Sequence, residues 1–237
     1  MPSLFFAEQQ LNSEHIDPEW VAASSLRSQL YGWFSTLFAR ELGRDAMALY
    51  QGGGAADIMA VLAELGMGRE ADAVAGVFQE WARHADAAVE NAADFATLFL
   101  MEGRACPLPY ASHYLDGGGQ LYGKPALLMR AMLASNRLRL DEPFKEPEDH
   151  LAVMLALMSH WARACDRPAD LASQAREQAA FIESALLSWI DAWLARMHAI
   201  KSLTFRFYPA VGALLAAFLR QDRDYLRSFE GGAIGRV

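Results

Sequence analysis

The chain has 237 residues, of which 53% are hydrophobic, and a formal net charge of −8 at pH 7. That length and apolar content suffice for a substantial core, while the acidic balance argues against a nucleic-acid surface, which needs clustered cations. The two cysteines, Cys106 and Cys165, form no CxxC pair, so neither a disulfide framework nor a thiolate metal site is indicated.

The N-terminal residues show no export signal. Residues 1–16 lack the basic region, apolar run and cleavage pattern of a signal peptide, and nowhere does the chain reach the roughly 18 apolar residues of a membrane span. We therefore expect a cytoplasmic protein without stable membrane association. Residues 1–16 are expected to form an extension, 17–225 a single compact domain, and 226–237 a flexible C-terminal tail.

Helical periodicity dominates the first hundred residues. Pro18 follows a capping aspartate, which is typical of a helix start, and aromatic and leucine residues then recur at helical spacing. A second apolar stripe covers residues 58–65, and Gly66 and Gly68 are predicted to stop that helix. The alanine-rich stretch 70–101 predicts two further helices.

An irregular segment, GRACPLPYASHYLDGGGQLYGKP, covers residues 103–125 and predicts a long loop with short helical turns. Its tyrosines and leucines argue against disorder. Gly118 to Lys124 follow P-loop spacing, but Pro125 stands where a magnesium-binding hydroxyl is needed, and no apolar strand precedes the glycines. A nucleotide-binding protein or NTPase using this loop is the alternative function. Gly123 is expected to let the chain turn sharply before Pro125.

Helices are also predicted through the second half. Met154, Met158, Trp189 and Trp193 are assigned to core packing, and alternating β-branched runs are absent. The fold class is therefore all-α, a single compact domain of about ten helices with one long irregular loop. The predicted helices comprise residues 125–138, residues 147–165, one opened by Pro168, a long one through 182–193, and a last one after Pro209.

The stretch FKEPEDHL crowds three acids and a histidine around Pro147. Proline suits the first position of a helix, which would place Glu148 and Asp149 in the first turn, near the positive end of the helix dipole. As a metal site the cluster is weak, because His150 and His160 are ten residues apart. Asp149 and His150 would also lie about 100° apart on a helix, so they suit no acid–base pair. No catalytic residue, metal or cofactor is predicted.

Four motifs occur in order along the chain: DFATLFL at 94–100, PYASHYLD at 109–116, LYGKP at 121–125 and EPEDH at 146–150. With them, the chain resembles the TorD/DmsD family of redox-enzyme maturation chaperones, which are related to the nitrate reductase delta-subunit assembly proteins. The resemblance extends over most of the chain, and EPEDH before a long apolar helix is its most specific element.

The resemblance implies a function and a partner. Family members are all-helical cytoplasmic proteins that bind the twin-arginine signal peptide of a molybdoenzyme precursor and hold back export until the molybdopterin cofactor is inserted. The same non-enzymatic role is implied here, with a precursor of the TMAO or DMSO reductase type as partner. We expect a monomer, with the domain-swapped dimer known in the family as the alternative.

The resemblance also implies a signal-peptide site. A guanidinium pair followed by an apolar stretch needs carboxylates beside a hydrophobic groove, to which Leu121 and Tyr122 would contribute. Whether His150 contacts the peptide or braces the loop before Pro147 is left open. The predicted site comprises Phe95, Leu98, Phe99, Tyr110, Gly123, Glu146, Pro147, Glu148, Asp149 and His150.

Overall fold

The computed structural model describes residues 18–101, 103–116, 119, 121–140, 144–163 and 171–229. Within these ranges the chain is helical, and the one backbone pairing of β type is an isolated bridge between Tyr110 and His150. The predicted all-α fold is confirmed. None of the helices in these ranges combines the length and apolarity needed to cross a membrane.

Eleven α-helices form in the described parts of the chain. They are α1 (Pro18–Ala39), α2 (Arg44–Gln51), α3 (Ala56–Leu62), α4 (Gly68–Arg83), α5 (Ala87–Phe95), α6 (Ala111–Leu115), α7 (Lys124–Ser135), α8 (Leu151–Arg163), α9 (Leu171–Phe181), α10 (Ser188–Ala199) and α11 (Phe207–Ser228). Wider π-helical turns extend α5 through Ala96–Leu100 and join α9 to α10 through Ile182–Leu187.

Helices α1 and α8 pack along each other through small residues. Ser28 donates its hydroxyl to the Ser159 carbonyl at 2.9 Å, and Ser35 donates to the Ala152 carbonyl at 2.8 Å. Short side chains let the two backbones approach closely, and their hydroxyls bond to the facing carbonyls. Since α8 directly follows the EPEDH motif, this contact fixes the motif relative to the core.

Helix α11 is the other central element, and it packs against α4, α9 and α10. It also contributes Asp222 to a buried polar cluster, in which Arg27 of α1 donates two hydrogen bonds to that carboxylate and one to Gln178. Tyr31 donates its hydroxyl to Asp222 at 2.7 Å. Burial raises the pKa of Tyr31, so its proton stays in place as the donor. The cluster ties α1, α9 and α11 together.

Several predicted helix boundaries need correction. Gly66 does interrupt the chain after α3, with φ at +89°, but Gly68 is the first residue of α4 and stops nothing. The predicted tail boundary at 226 is also too early, because α11 continues to Ser228 and Leu226 is fully buried. The predicted helix start at Pro168, the extension 1–16 and residues 230–237 lie outside the described residues.

The predicted helix start at Pro147 is wrong, since α8 begins at Leu151. The backbone of the preceding residues bonds across to another segment: Leu151 N–H donates to the Pro109 carbonyl at 2.8 Å, and Asp149 C=O accepts from Ala111 N–H at 3.2 Å. Backbone groups engaged in this pairing are not available for a helical turn. Glu148 and Asp149 therefore lie in a turn before the helix, outside its first turn.

Candidate functional site

Two of the four motifs meet at the bridge between Tyr110 and His150. The pairing joins PYASHYLD to EPEDH and brings the start of α6 against the start of α8. The irregular segment before α6 is anchored too, because the Trp193 indole donates to the Pro107 carbonyl at 2.9 Å and Tyr114 stacks on Trp189. Residues 107–114 of the loop are thus ordered by packing against α10, as the aromatic content predicts.

The Asp149 side chain links three motifs. It is fully buried, and its Oδ2 accepts hydrogen bonds from the Ser112 N–H at 2.7 Å and from the Ser112 hydroxyl. Ser112 Oγ in turn accepts from the Gly123 N–H at 3.1 Å, which brings LYGKP to the same place. The second carboxylate oxygen, Oδ1, is buried and has no hydrogen-bond partner among the residues that the structure describes. Asp149 therefore joins α6, α7 and α8 from inside the protein.

Gly123 belongs to this arrangement for a reason other than the predicted sharp turn. Its own φ is −80°, and the left-handed residue is Tyr122, with φ at 61°. The Asp116 carboxylate lies so near that a Cβ on Gly123 would come within 1.6 Å of Oδ2, and this oxygen accepts the Lys124 N–H at 2.8 Å. Glycine is needed here because a carboxylate approaches the backbone.

That carboxylate also bears on the alternative nucleotide site. In a P-loop, the N–H groups at the start of the following helix bind phosphate. Here the Lys124 N–H already donates to the Asp116 carboxylate, and the Gly123 N–H donates to the Ser112 hydroxyl. Gly118 lies outside the described residues. A phosphate at this helix start would be repelled by a fixed negative charge. The geometry therefore disfavours an NTPase.

Substituting Gly123 with alanine tests the close approach. We expect Gly123→Ala to lower the free energy of unfolding by about 1 to 2 kcal/mol, because Asp116 must move and the Lys124 N–H loses its acceptor. Chemical denaturation followed by far-UV circular dichroism measures the change. Gly76→Ala in α4 is the matched control: its Cβ would meet nothing within 4 Å, so helix propensity favours alanine there. Equal stability of Gly123→Ala and the native chain would contradict the expectation.

His150 lies inside the protein, where it braces the start of α8. Its Nδ1 accepts the Ala152 N–H at 3.1 Å, and its ring packs edge-on against Tyr110 and Phe144. Burial lowers the pKa of His150 to about 4, so the ring is neutral at pH 7. Of the two roles left open by the sequence, the geometry describes the brace.

The aromatic members of the predicted site form part of the core. Phe95, Leu98 and Phe99 are all buried, and both phenylalanines pack edge-on against Tyr208 of α11. Asp94, at the head of the same motif, accepts the N–H groups of Thr204 and of the residue after it, both at 2.9 Å. The DFATLFL motif thus holds the connection before α11.

Only part of the predicted site reaches the surface. Glu146 is exposed and accepts the Tyr110 hydroxyl at 2.6 Å, and Glu148 accepts two hydrogen bonds from Arg130, at 2.6 and 3.1 Å. Tyr122 is 61% exposed and lies near enough to Tyr110 for the two hydroxyls to interact electrostatically. The Glu146 carboxylate and the exposed Tyr122 ring therefore lie near the Tyr110 hydroxyl.

The sequence did not indicate three residues that build this site: Ser112, Asp116 and Arg130. Their roles depend on partners distant in the chain, so only the helix-capping preference of serine and aspartate offered a signal. Among the described residues, no three His, Cys, Asp or Glu side chains are grouped to hold a metal ion. Pro147 is buried, and Gly123 is partly exposed beside Asp116.

Comparison with known proteins gives consistent results. The family model described as "Nitrate reductase delta subunit" matches residues 66–195. A protein named "Chaperone protein TorD" from Psychrobacter sp. (strain PRwf-1) is 39% identical over 211 residues, 88% of this chain and 95% of that protein. A protein of the same name from Vibrio cholerae is 35% identical over 84% of this chain and 91% of its own length, and one from Vibrio vulnificus (strain YJ016) is 34% identical over 86% and 96%.

Both kinds of similarity cover more than half of the chain, and the relatives are matched over nearly their full length. The chain therefore belongs to the TorD/DmsD family of redox-enzyme maturation chaperones.

Proposed function

We propose that this protein is a cytoplasmic, non-enzymatic chaperone that binds the twin-arginine signal peptide of a molybdoenzyme precursor and assists cofactor insertion before export. The observation that carries the proposal is a turn with two carboxylates: Glu146 is exposed and accepts the Tyr110 hydroxyl, and Glu148 is partly exposed and binds Arg130. Family membership supports the kind of client.

The chemistry of the peptide matches this surface. Twin-arginine peptides present two guanidinium groups followed by an apolar stretch. Carboxylates receive guanidinium in a bidentate geometry, and Glu148 already binds Arg130 in that way. Leu121 and Tyr122, 38% and 61% exposed, offer apolar contact close to Glu146.

The Arg130 contact does not prevent this binding. The Arg130 side chain is 58% exposed, and exposed ion pairs contribute at most about 1 kcal/mol. A peptide arginine can therefore replace Arg130 on Glu148 at little cost. The Arg130 pair lowers the pKa of Glu148, so the carboxylate is ionised and ready for exchange at neutral pH.

The buried members of the predicted site act as positioning residues in this proposal. Asp149 and His150 set the start of α8 and with it the turn that carries Glu146 and Glu148. Replacing them would disturb the fold as well as the surface. A test of peptide binding is therefore cleaner on Glu146, which is exposed, and Glu148, which is partly exposed.

We expect Glu146→Gln with Glu148→Gln to weaken binding of a synthetic twin-arginine signal peptide about tenfold, since each lost charge contact contributes up to about 1 kcal/mol. Isothermal titration calorimetry with the full chain measures the affinity. Glutamine keeps the shape of both side chains and removes only charge.

The matched control is Glu64→Gln with Glu80→Gln, two exposed acids elsewhere on the surface that change the net charge equally. The control variant should retain the native affinity, apart from a small effect of net charge on encounter. An equal loss in both variants would show that only overall acidity matters. Unchanged affinity in the Glu146 and Glu148 variant would refute the site.

A further inference from the structure

One part of the surface is positively charged, although the protein as a whole is acidic. Residues 121–140 contain no Asp or Glu and four cations, Lys124, Arg130, Arg137 and Arg139, in a chain whose net charge is −8. All four are exposed. A basic signal peptide gains nothing from this surface, so the proposed function does not account for it.

The arginines converge on a cavity. Arg130, Arg137 and Arg139 line a depression of about 550 Å³ at the end of α7, together with Leu133, Leu138, Leu140, Ala134 and Glu148. The guanidinium groups of Arg137 and Arg139 make no hydrogen bond or ion pair in the described parts of the chain, whereas Arg130 is held by Glu148. Two guanidiniums therefore remain free to bind an anionic group from outside.

The basic surface continues into an exposed apolar one. Leu127 and Leu128, on the first turns of α7, are 58% and 62% exposed. The twelve residues of α7 extend about 18 Å at 1.5 Å per residue. Exposed leucines at the start of α7 and unpaired arginines just beyond its end are a combination typical of a protein-binding surface.

We propose that the outer face of α7 and this cavity form a second docking surface, which binds an acidic, amphipathic segment of a partner protein. The length of the surface exceeds what a small anion would occupy. An anionic membrane fits less well, because the cavity is concave and the rest of the protein is acidic and would be repelled. The surface shares Glu148 with the proposed signal-peptide site, but the cations that carry the inference, Arg137 and Arg139, have no part in that site.

The test uses the full chain and three fluorescein-labelled 18-residue peptides. The first carries leucines at helical i, i+3, i+4 spacing and glutamates elsewhere, the second replaces glutamate with lysine, and the third replaces leucine with alanine. Fluorescence anisotropy at 150 mM salt measures affinity. We expect the first peptide to bind at least tenfold tighter than either of the others, and Arg137→Glu with Arg139→Glu to weaken it at least tenfold.

Arg83→Glu with Arg176→Glu is the matched control, since both arginines are exposed elsewhere and the change in net charge is identical. Equal loss in the two variants, or equal binding of the alanine peptide, would overturn the proposal. Binding to phosphatidylglycerol vesicles without peptide binding would assign the surface to membranes and also overturn it. Arg137→Glu/Arg139→Glu should keep or raise the affinity for the twin-arginine peptide, because Glu148 lines the same cavity and the variant adds negative charge beside it. Weaker binding of the acidic and the twin-arginine peptides alike would overturn the proposal of a separate surface.

Discussion

Replacing Asp222 with alanine is expected to lower the free energy of unfolding by about 3 to 5 kcal/mol, a large fraction of the stability of an ordinary domain. The substitution removes both carboxylate hydrogen bonds of the buried Arg27 guanidinium, and it removes the acceptor of the Tyr31 hydroxyl. Removing one partner of a buried ion pair costs more stability than replacing both partners by apolar residues, because the remaining charge stays in a poorly solvated place. Denaturant unfolding, followed by tryptophan fluorescence and circular dichroism, measures the loss.

Two further variants separate charge burial from general damage to α11. Removing both charges, in Arg27→Met with Asp222→Leu, should recover much of the lost stability, because neither charge of the pair then has to be buried. Asp191→Ala breaks the exposed pair with Arg220 and should change stability by less than about 1 kcal/mol. A double variant no more stable than Asp222→Ala would contradict the electrostatic explanation.

Acid is expected to destabilise the protein by about 3 kcal/mol through His150 alone. The folded pKa of His150 is about 4, whereas the unfolded value is 6.5, so the unfolded chain binds a proton in this interval and the folded chain does not. Stability is therefore fully present above pH 6.5 and is lost as the pH falls toward 4. Unfolding free energies measured at several pH values between 7.5 and 4.5 give the slope.

The matched variant for this prediction is His150→Asn. Asparagine is a good acceptor at a helix start and can keep the bond from the Ala152 N–H, but it does not titrate. Loss of ring packing against Tyr110 and Phe144 lowers the starting stability, so the comparison is between slopes. Parallel pH profiles for the two proteins would contradict the role assigned to His150.

The sequence predicted what depends on local pattern. Apolar periodicity located the helices, and Trp189, Trp193, Met154 and Met158 are buried as expected. The local rules for helix starts gave a wrong prediction at Pro147, although a proline followed by acidic residues fits those rules in every respect. The competing partners were the backbone groups of residues 109–111, which no local rule connects to EPEDH.

The same limit explains the site. Phe95 and Phe99 show helical spacing whether they face a peptide or the core, and Tyr208, which covers them, lies far away in sequence. An aspartate such as Asp149 is expected at the surface from its residue type alone. In the structure it is buried, because the N–H and the hydroxyl of Ser112 donate hydrogen bonds to its carboxylate. Much of what makes the family motifs recognisable here therefore supports the fold. The residues suited to meet a partner are their exposed neighbours.

The bridge between Tyr110 and His150 has a consequence for how the protein opens. It joins the two ends of the excursion, the segment between Tyr110 and His150 that contains α6 and α7. The contact between α1 and α8 lies outside this segment. Local opening of this part of the chain would have to break the bridge and also the packing of α6 on α10, so we expect both helices to move together as one cooperative unit. Both proposed binding surfaces touch this excursion, so one local opening event would present or withdraw them at the same moment.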